Sequence, residues 1–472
     1  MLKSWSLEFK QLVYDNIISS WTKKEIPEWW KWTNLTLKPK DLDNITPDTL
    51  RPLVLVEVLR KVWIGLIINQ TNAIWHRHNI LNPSQHGFRP KRGTDTAILQ
   101  LQSIFEQSAE NQSTLYLSSW DVKKAFDSLS KNTLRFGWTR LGVPEDIAKM
   151  LVSLDEQGHT IIRTPYSQKR WKKLRHKGFI TLSEFFSGER GAGQGDVGSP
   201  LNWVAAYDIL LCALSTVTTD NFYVKRSNNT LVPAIDIAYA DDLISAMSTA
   251  AGLQLKADIV SAFSIIFGLD IATVKLRTFC HFPTGHIPTN FKQQHIHIHT
   301  SGWKQHTINI ATKGTLKVLG KTYDISSKKI DTTQYKITLQ RTTYGANMVR
   351  RARGSRHQRK MVLRSCVSKR AEYAGQFSSW SQAQLDQLDV PINIAYRQLT
   401  SNTIGYPTEA LYLSPTMGGL GLHRISDGIN TAKYSMVQRH LLNTGNILDN
   451  IHTLINNASN STQHTHLSLI HI

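Results

Sequence analysis

Cysteine is scarce in this 472-residue chain, and negative charge is outweighed. The three cysteines, Cys212, Cys280 and Cys366, lie far apart. They make no pairwise zinc-ligand spacing and no disulfide framework, so a reduced compartment is expected. Asp and Glu number 35 against 55 Lys and Arg, a formal net charge of +20. Such a balance points to a polyanionic partner, because Lys/Arg surfaces gain affinity by displacing counterions from phosphates. No unbroken apolar run reaches bilayer length, and Lys3, Glu8 and Lys10 interrupt the start where a leader would be apolar. Neither secretion nor a membrane partner is expected. What the chain does have is length for two or three domains and 41% hydrophobic residues, enough for a substantial core.

Residues 1 to about 50, rich in Trp and Lys with Pro27 and Pro39, read as an irregular segment with short strands. From Arg51 to Gln70 the apolar spacing fits a largely buried helix with Pro52 at its boundary. A loop crowded with turn residues and cations, Asn82 to Thr94, precedes a helix from Thr96 to about Glu110. Leu115 to Val122 reads as a strand ending in Asp121, followed by a turn into a helix. Residues 159–181 mix Ile161, Ile162 and Tyr166 with Arg163, Lys172, Lys173 and other cations, a basic hairpin suited to tracking phosphates or an ordinary solvated face. Gly188 to Pro200 carries five glycines ahead of a helix through about Leu214, and lacks the Gly-Lys-Ser/Thr ending of a P-loop. A helix at 251–267 and a strand-like unit at 316–323 follow. His295, His297 and His299 would share one strand face and read as a solvated edge. Beyond 330 helix formers dominate, and residues 341–370 hold ten Lys/Arg and no Asp/Glu. The tail from Asn456 has the composition of disorder. No internal repeat is evident.

The stretch from Ile235 to Met247 places Asp241 and Asp242 between two mostly apolar runs. Carboxylates at a hairpin turn can project from one end of a sheet, where cations reach them. An ordinary surface turn would look the same, and the stretch alone leaves both readings open.

In order, these segments resemble the polymerase core of reverse transcriptases, most like those of non-LTR retrotransposons. Arg51-Pro52-Leu53 with Lys61 is similar to the first fingers motif, and Gln85 to Arg89 with Gly93-Thr94 to the second. Asp121 to Asp127 resembles the palm motif with the first catalytic acid. Gln194-Gly195 through Ser199-Pro200 resembles the template and nucleotide loop, Tyr239 to Asp242 the catalytic hairpin, Phe267-Gly268 to Lys275 the next palm motif, and Leu319-Gly320 the primer-grip turn. Ala272, Leu276 and Gly198 depart from residues common in the family. No endonuclease, RNase H or zinc-knuckle segment is recognisable, and a fragment or decayed copy fits that.

The resemblance implies an α+β right-hand fold: fingers in 1–114, a palm with a small antiparallel sheet in 115–325, a helical thumb and C-terminal region in 326–455, then the tail 456–472. It implies RNA-templated DNA synthesis with RNA template, DNA primer and deoxynucleoside triphosphates as partners, in the nucleus or a cytoplasmic ribonucleoprotein. Two Mg2+ ions, with Mn2+ as substitute, would be held by Asp121, the Val122 carbonyl, Asp241 and Asp242. Lys275 would act as general acid and Phe126 as steric gate against ribonucleotides. Arg51, Lys61, Arg89, Gln194 and Gly195 would meet the nucleotide or template. Arg163, Lys172, Lys173, Arg350, Arg351, Arg353 and Arg356 would follow the nucleic-acid backbone. The alternative is an inactive or domesticated relative that binds nucleic acid.

Overall fold

The computed structural model describes residues 4–39, 43, 45–46, 49–156, 158–163, 188, 190–226, 230–401 and 405–441. The N-terminal segment is not irregular. Ser6 accepts from the Phe9 amide and opens α1, Leu7–Lys23, which Lys24 closes in a left-handed turn. Its apolar residues are spread around the helix, with Leu7, Leu12 and Tyr14 exposed, so periodicity did not signal it. Two strands follow, β1 (Trp32–Pro39) and β2 (Leu50–Val56), paired antiparallel. Arg51 therefore lies on a strand, and the expected helix begins later. The alternating Leu53-Val54-Leu55-Val56 run suits a pleated edge, where Pro52 costs no ladder bond. Glu57 then accepts from the Leu59 and Arg60 amides and caps α2, Val58–Arg77.

Next come α3 (Thr94–Glu110) and β3 (Leu115–Trp120). After them lie α4 (Ala125–Ser128), α5 (Lys131–Arg140) and α6 (Glu145–Glu156). Strand β4 (His159–Arg163) runs parallel to β1, so Arg163 belongs to the N-terminal sheet, and the second arm of the expected hairpin lies outside the described residues. Lys172 and Lys173 lie outside the described residues. Trp30, Trp63, Trp75 and Trp138 anchor the core that joins α2, α5 and α6.

The chain continues through α7 (Ser199–Leu214), β5 (Tyr223–Lys225), β6 (Leu231–Pro233), β7 (Ile237–Tyr239), β8 (Asp242–Met247), α8 (Ala250–Phe267) and β9 (Arg277–His281). Four strands make the central sheet, in the order β7-β8-β3-β9, all antiparallel. Strand β3 is buried on both faces, Leu115 and Leu117 on one and Tyr116, Ser118 and Trp120 on the other. Tyr116 and Trp120 meet α7 and α8 through Trp203, Tyr207 and Ala257, while Leu115 and Leu117 meet α3 through Ala97, Leu101 and Phe105. Helix α8 is long and apolar enough to cross a membrane by length and composition. Its Leu253, Ala257, Val260 and Phe263 pack in the central core, and Lys256 pairs with buried Asp236 at 2.8 Å.

Two further hairpins follow. The first joins β10 (His295–Thr300) to β11 (Lys304–Asn309) and carries the histidines in alternation, with His297 taking hydrogen bonds from Gln305 and Thr307. The second is two strands about a turn rather than one unit: β12 (Thr315–Val318) and β13 (Lys321–Asp324), with Leu319 and Gly320 both at positive φ. The remaining described residues are mainly helical, with α9 (Thr332–Arg351), α10 (Arg356–Val362), a π-helical stretch (Leu363–Ser368), α11 (Lys369–Gly375), α12 (Gln382–Thr400), α13 (Thr408–Tyr412) and α14 (Ile425–Leu441). These helices share their own core around Leu388, Ile392, Ala395 and Ile429. Lys321, wholly buried, joins them to the rest. Its ammonium donates to Gln102 on α3 and to the Phe377 carbonyl, and pairs with Asp331 at 3.0 Å. The tail from 456 lies outside the described residues.

Candidate active site

Asp121 follows directly on β3, in the middle of the central sheet, where the chain leaves the ladder. Its backbone is fixed by the loop after α8: Ala272 N donates to Asp121 O and Lys123 N to Asp270 O, each at 2.8 Å, with Val122 bridged to Ile271 between them. The neighbouring strand β8 begins with Asp242, paired with Tyr239 across the two-residue turn Ala240-Asp241. Ala240 is left-handed there, φ +57°. Because β3 and β8 are antiparallel partners, with Trp120 opposite Leu243, the three aspartates gather at one end of the sheet.

Their electrostatics report that crowding. Burial, then repulsion from Asp241 and Asp121, pushes Asp242 up to about 6. Burial raises Asp241 as well, with Asp121 adding to it. Lys275, on the loop after α8, places its ammonium 2.8 Å from the Asp121 carboxylate. The fold therefore brings together Asp121, Val122, Asp241, Asp242 and Lys275. Among the described residues no three acid, histidine or cysteine side chains stand close enough to chelate an ion as placed. The donor set still fits a hard divalent cation in its chemistry: oxygen acids that repel one another gain when a cation is shared between them.

The glycine-rich loop lies beside this end. Gln194 donates to Asp127 at 3.2 Å, and its carbonyl accepts from the Val54 amide at 2.7 Å. A Cβ on Gly195, φ +104°, would stand 3.0 Å from the Val54 carbonyl, and one on Gly193 would stand 2.8 Å from the Val54 side chain. These two glycines thus let the loop close on β2, a contact within the protein. Phe126, half-buried on α4, rests its ring 5.3 Å from that of Trp203.

The expected phosphate contacts divide. Arg51 on β2 is exposed and Lys61 on α2 half-buried. Arg89 is not presented to a ligand: it is buried, donates to the carbonyls of Asn82 and Gln85, and is pulled down to about 10 by desolvation. On the C-terminal helices Arg350 donates to Gln398 and Asn347, and Arg356 to Ser401, which draws both toward the end of α12. Arg351 and Arg353 stay exposed. Two residues not assigned an individual role from sequence matter here. Arg60, wholly buried, donates to the Trp30 carbonyl, pairs with Asp155 at 2.8 Å and pairs with Asp196 of the glycine-rich loop. Arg60 and Lys61 side by side within the otherwise apolar Val58 to Ile67 run were the available signal. The other is Gln85, treated below.

The chain is thus of the mixed α+β class, with three acids converging at one end of an antiparallel sheet and a lysine beside them. Residues 37–366 match the family described as reverse transcriptase (RNA-dependent DNA polymerase), and the chain belongs to that family. It is 29% identical over 220 residues to the retrovirus-related Pol polyprotein of the type-1 retrotransposable element R2 of Popillia japonica, covering 46% of this chain and 28% of that protein. It is 27% identical over 242 residues to the corresponding polyprotein of the type-2 element R2DM of Drosophila melanogaster, covering 51% of this chain and 20% of that one. The chain thus spans less than a third of the length of these relatives. Among solved structures, apo telomerase from Candida Tropicalis superposes with a TM-score of 0.43 at 12% identity, over 95% of this chain and 74% of that one.

Proposed function

We propose that this chain is an RNA-directed DNA polymerase of a non-LTR retrotransposon, adding deoxynucleotides to a primer 3′-hydroxyl on an RNA template. The gathering of Asp121, Asp241 and Asp242 at one sheet end, with Lys275 on Asp121, carries this reading. In the right-hand description, 1–114 forms the fingers, 115–325 the palm and 326–455 the thumb and C-terminal region. Two divalent ions, Mg2+ or Mn2+, when bound would activate the hydroxyl and neutralise the leaving pyrophosphate. Asp121, Asp241, Asp242 and the Val122 carbonyl are the groups that would hold them.

The chain's own residues then have distinct tasks. Lys275 carries a proton within reach of the acids and can give it to the departing pyrophosphate. Phe126, backed by Trp203, is the wall against a ribose 2′-hydroxyl. Gln194, held by Asp127, and Gly195 border the nucleotide, and Arg51 and Lys61 offer charge to its phosphates or to the template.

Primer extension on RNA and DNA templates tests the reading. RNA-templated, magnesium-dependent synthesis is expected, abolished by Asp121→Asn or Asp241→Asn with primer-template binding kept. Binding without any synthesis by the parental chain would instead make it a nucleic-acid-binding relative.

A further inference from the structure

The turn that carries Asp241 is held in a costly conformation by a segment distant in sequence. Ala240 sits at φ +57°, a region that crowds any residue with a Cβ and that glycine or asparagine would occupy with less strain. Something outside the turn must hold it. Gln85, 1% exposed, does so from both sides: its Oε1 accepts from the Ala240 amide at 3.1 Å and from the Gly87 amide at 2.8 Å, and its Nε2 stands 3.4 Å from the Ala240 carbonyl. A Cβ on Gly87 would fall 2.6 Å from Ala240 N, so only glycine allows this approach.

The backbone supports the same contact. His86 N donates to Ala238 O at 2.7 Å and Ala238 N to Ser84 O at 2.8 Å, which adds residues 84–86 to the outer edge of β7 as a parallel bridge. The His86 ring, fully buried, is fastened to α3 through Thr96 at 2.7 Å and Gln100 at 2.8 Å. Gln100 accepts from Nε2–H, so the neutral ring takes the Thr96 hydroxyl at Nδ1.

We propose that Gln85 is the positioning residue for Asp241: by clamping Ala240 in its left-handed state it sets the direction of the carboxylate and ties the 84–87 strap to the acid cluster. The proposal rests on the polymerase reading for its kinetic consequence and on geometry alone for its structural one. Gln85→Met keeps the length of the side chain and removes both hydrogen-bonding functions. It leaves two buried amides without an acceptor and the turn free to relax.

The test has two readouts. By amide hydrogen exchange, Ala240 and Gly87 should exchange roughly tenfold or more faster in Gln85→Met, while the amides of β3 and β8 keep their protection. In primer extension, kcat should fall and the Mg2+ midpoint rise, each by roughly 10–100-fold, with the Kd for primer-template unchanged. Ala240→Gly removes the strain, so in that background Gln85→Met should cost markedly less. Should Gln85→Met fail to fold, Gln85→Asn, which withdraws the amide by one methylene, takes its place in both measurements. Unchanged exchange at Ala240, an unmoved Mg2+ midpoint, or fully additive losses in the double variant would each overturn the clamp. If the parental chain extends no primer, the polymerase reading falls, and the exchange measurement still decides the clamp.

Discussion

Asp242, at the solvent-accessible start of β8, has its carboxyl raised first by partial burial and then by the charges of Asp241 and Asp121, while Lys275 is paired with Asp121 and offsets this only weakly. With its folded-state pKa raised from 3.8 to about 6, the folded chain holds this proton more tightly than the unfolded one. Stability therefore falls as pH rises from about 4 to about 6 and stays lower above that window. Asp242→Asn should raise the Tm of the metal-free protein at pH 7, by about one or two degrees given solvent screening, and by nothing below pH ~4. Added Mg2+ should stabilise the parental protein more than the variant, and thermal scans at both pH values measure both effects. Phe126→Ala should lower the ratio of kcat/KM for deoxynucleotides to that for ribonucleotides. An unaltered ratio with a Tm loss would leave the ring as packing for Trp203. Asp241 and Asp242 drew notice as charges between apolar runs, but their role, and those of Asp121 and Lys275, were legible only through the resemblance of their motifs to a known family. Arg89 was not: whether a cation meets phosphate or turn carbonyls depends on the path of the backbone around it, which composition does not reveal.

Element boundaries depended on caps and partners more than on periodicity. The largely apolar series from Leu53 to Ile67 passes through a strand and a helix, and Glu57, accepting from the first helical amides, divides them. Helix α1 escaped notice because its apolar residues do not line one face. The central strands and α3, α7 and α8 were visible because each buries a long stretch of side chains. Arg60 welds three such elements, α2, α6 and the glycine-rich loop, through Asp155 and Asp196. Arg60→Met should destabilise the protein by roughly 3–5 kcal/mol, because it strands buried carboxylate charge. Asp196→Asn in the same chain should recover part of that loss. Denaturant unfolding of the single and double variants gives both values, and an additive result would mean that Arg60 acts through packing alone.

At the scale of the molecule, a net charge of +20 needs an outlet, and the C-terminal helices offer one at Arg351 and Arg353. If these two meet a duplex backbone, Arg351→Gln with Arg353→Gln should weaken binding of all sequences alike and flatten the salt dependence by about two units of slope. Arg350→Gln should act on stability instead, through its lost bond to Gln398 on α12. Equilibrium binding across a salt series separates the two. Lys321 has a mechanical consequence for the same region. One ammonium is riveted to α3, to Asp331 just ahead of α9 and to the carbonyl of Phe377 just beyond α11, so a tug on the β12–β13 turn is shared among separate parts of the chain at once. A load applied at that turn therefore meets an anvil rather than a spring, because the hairpin cannot bend without moving α3 and the C-terminal helices with it.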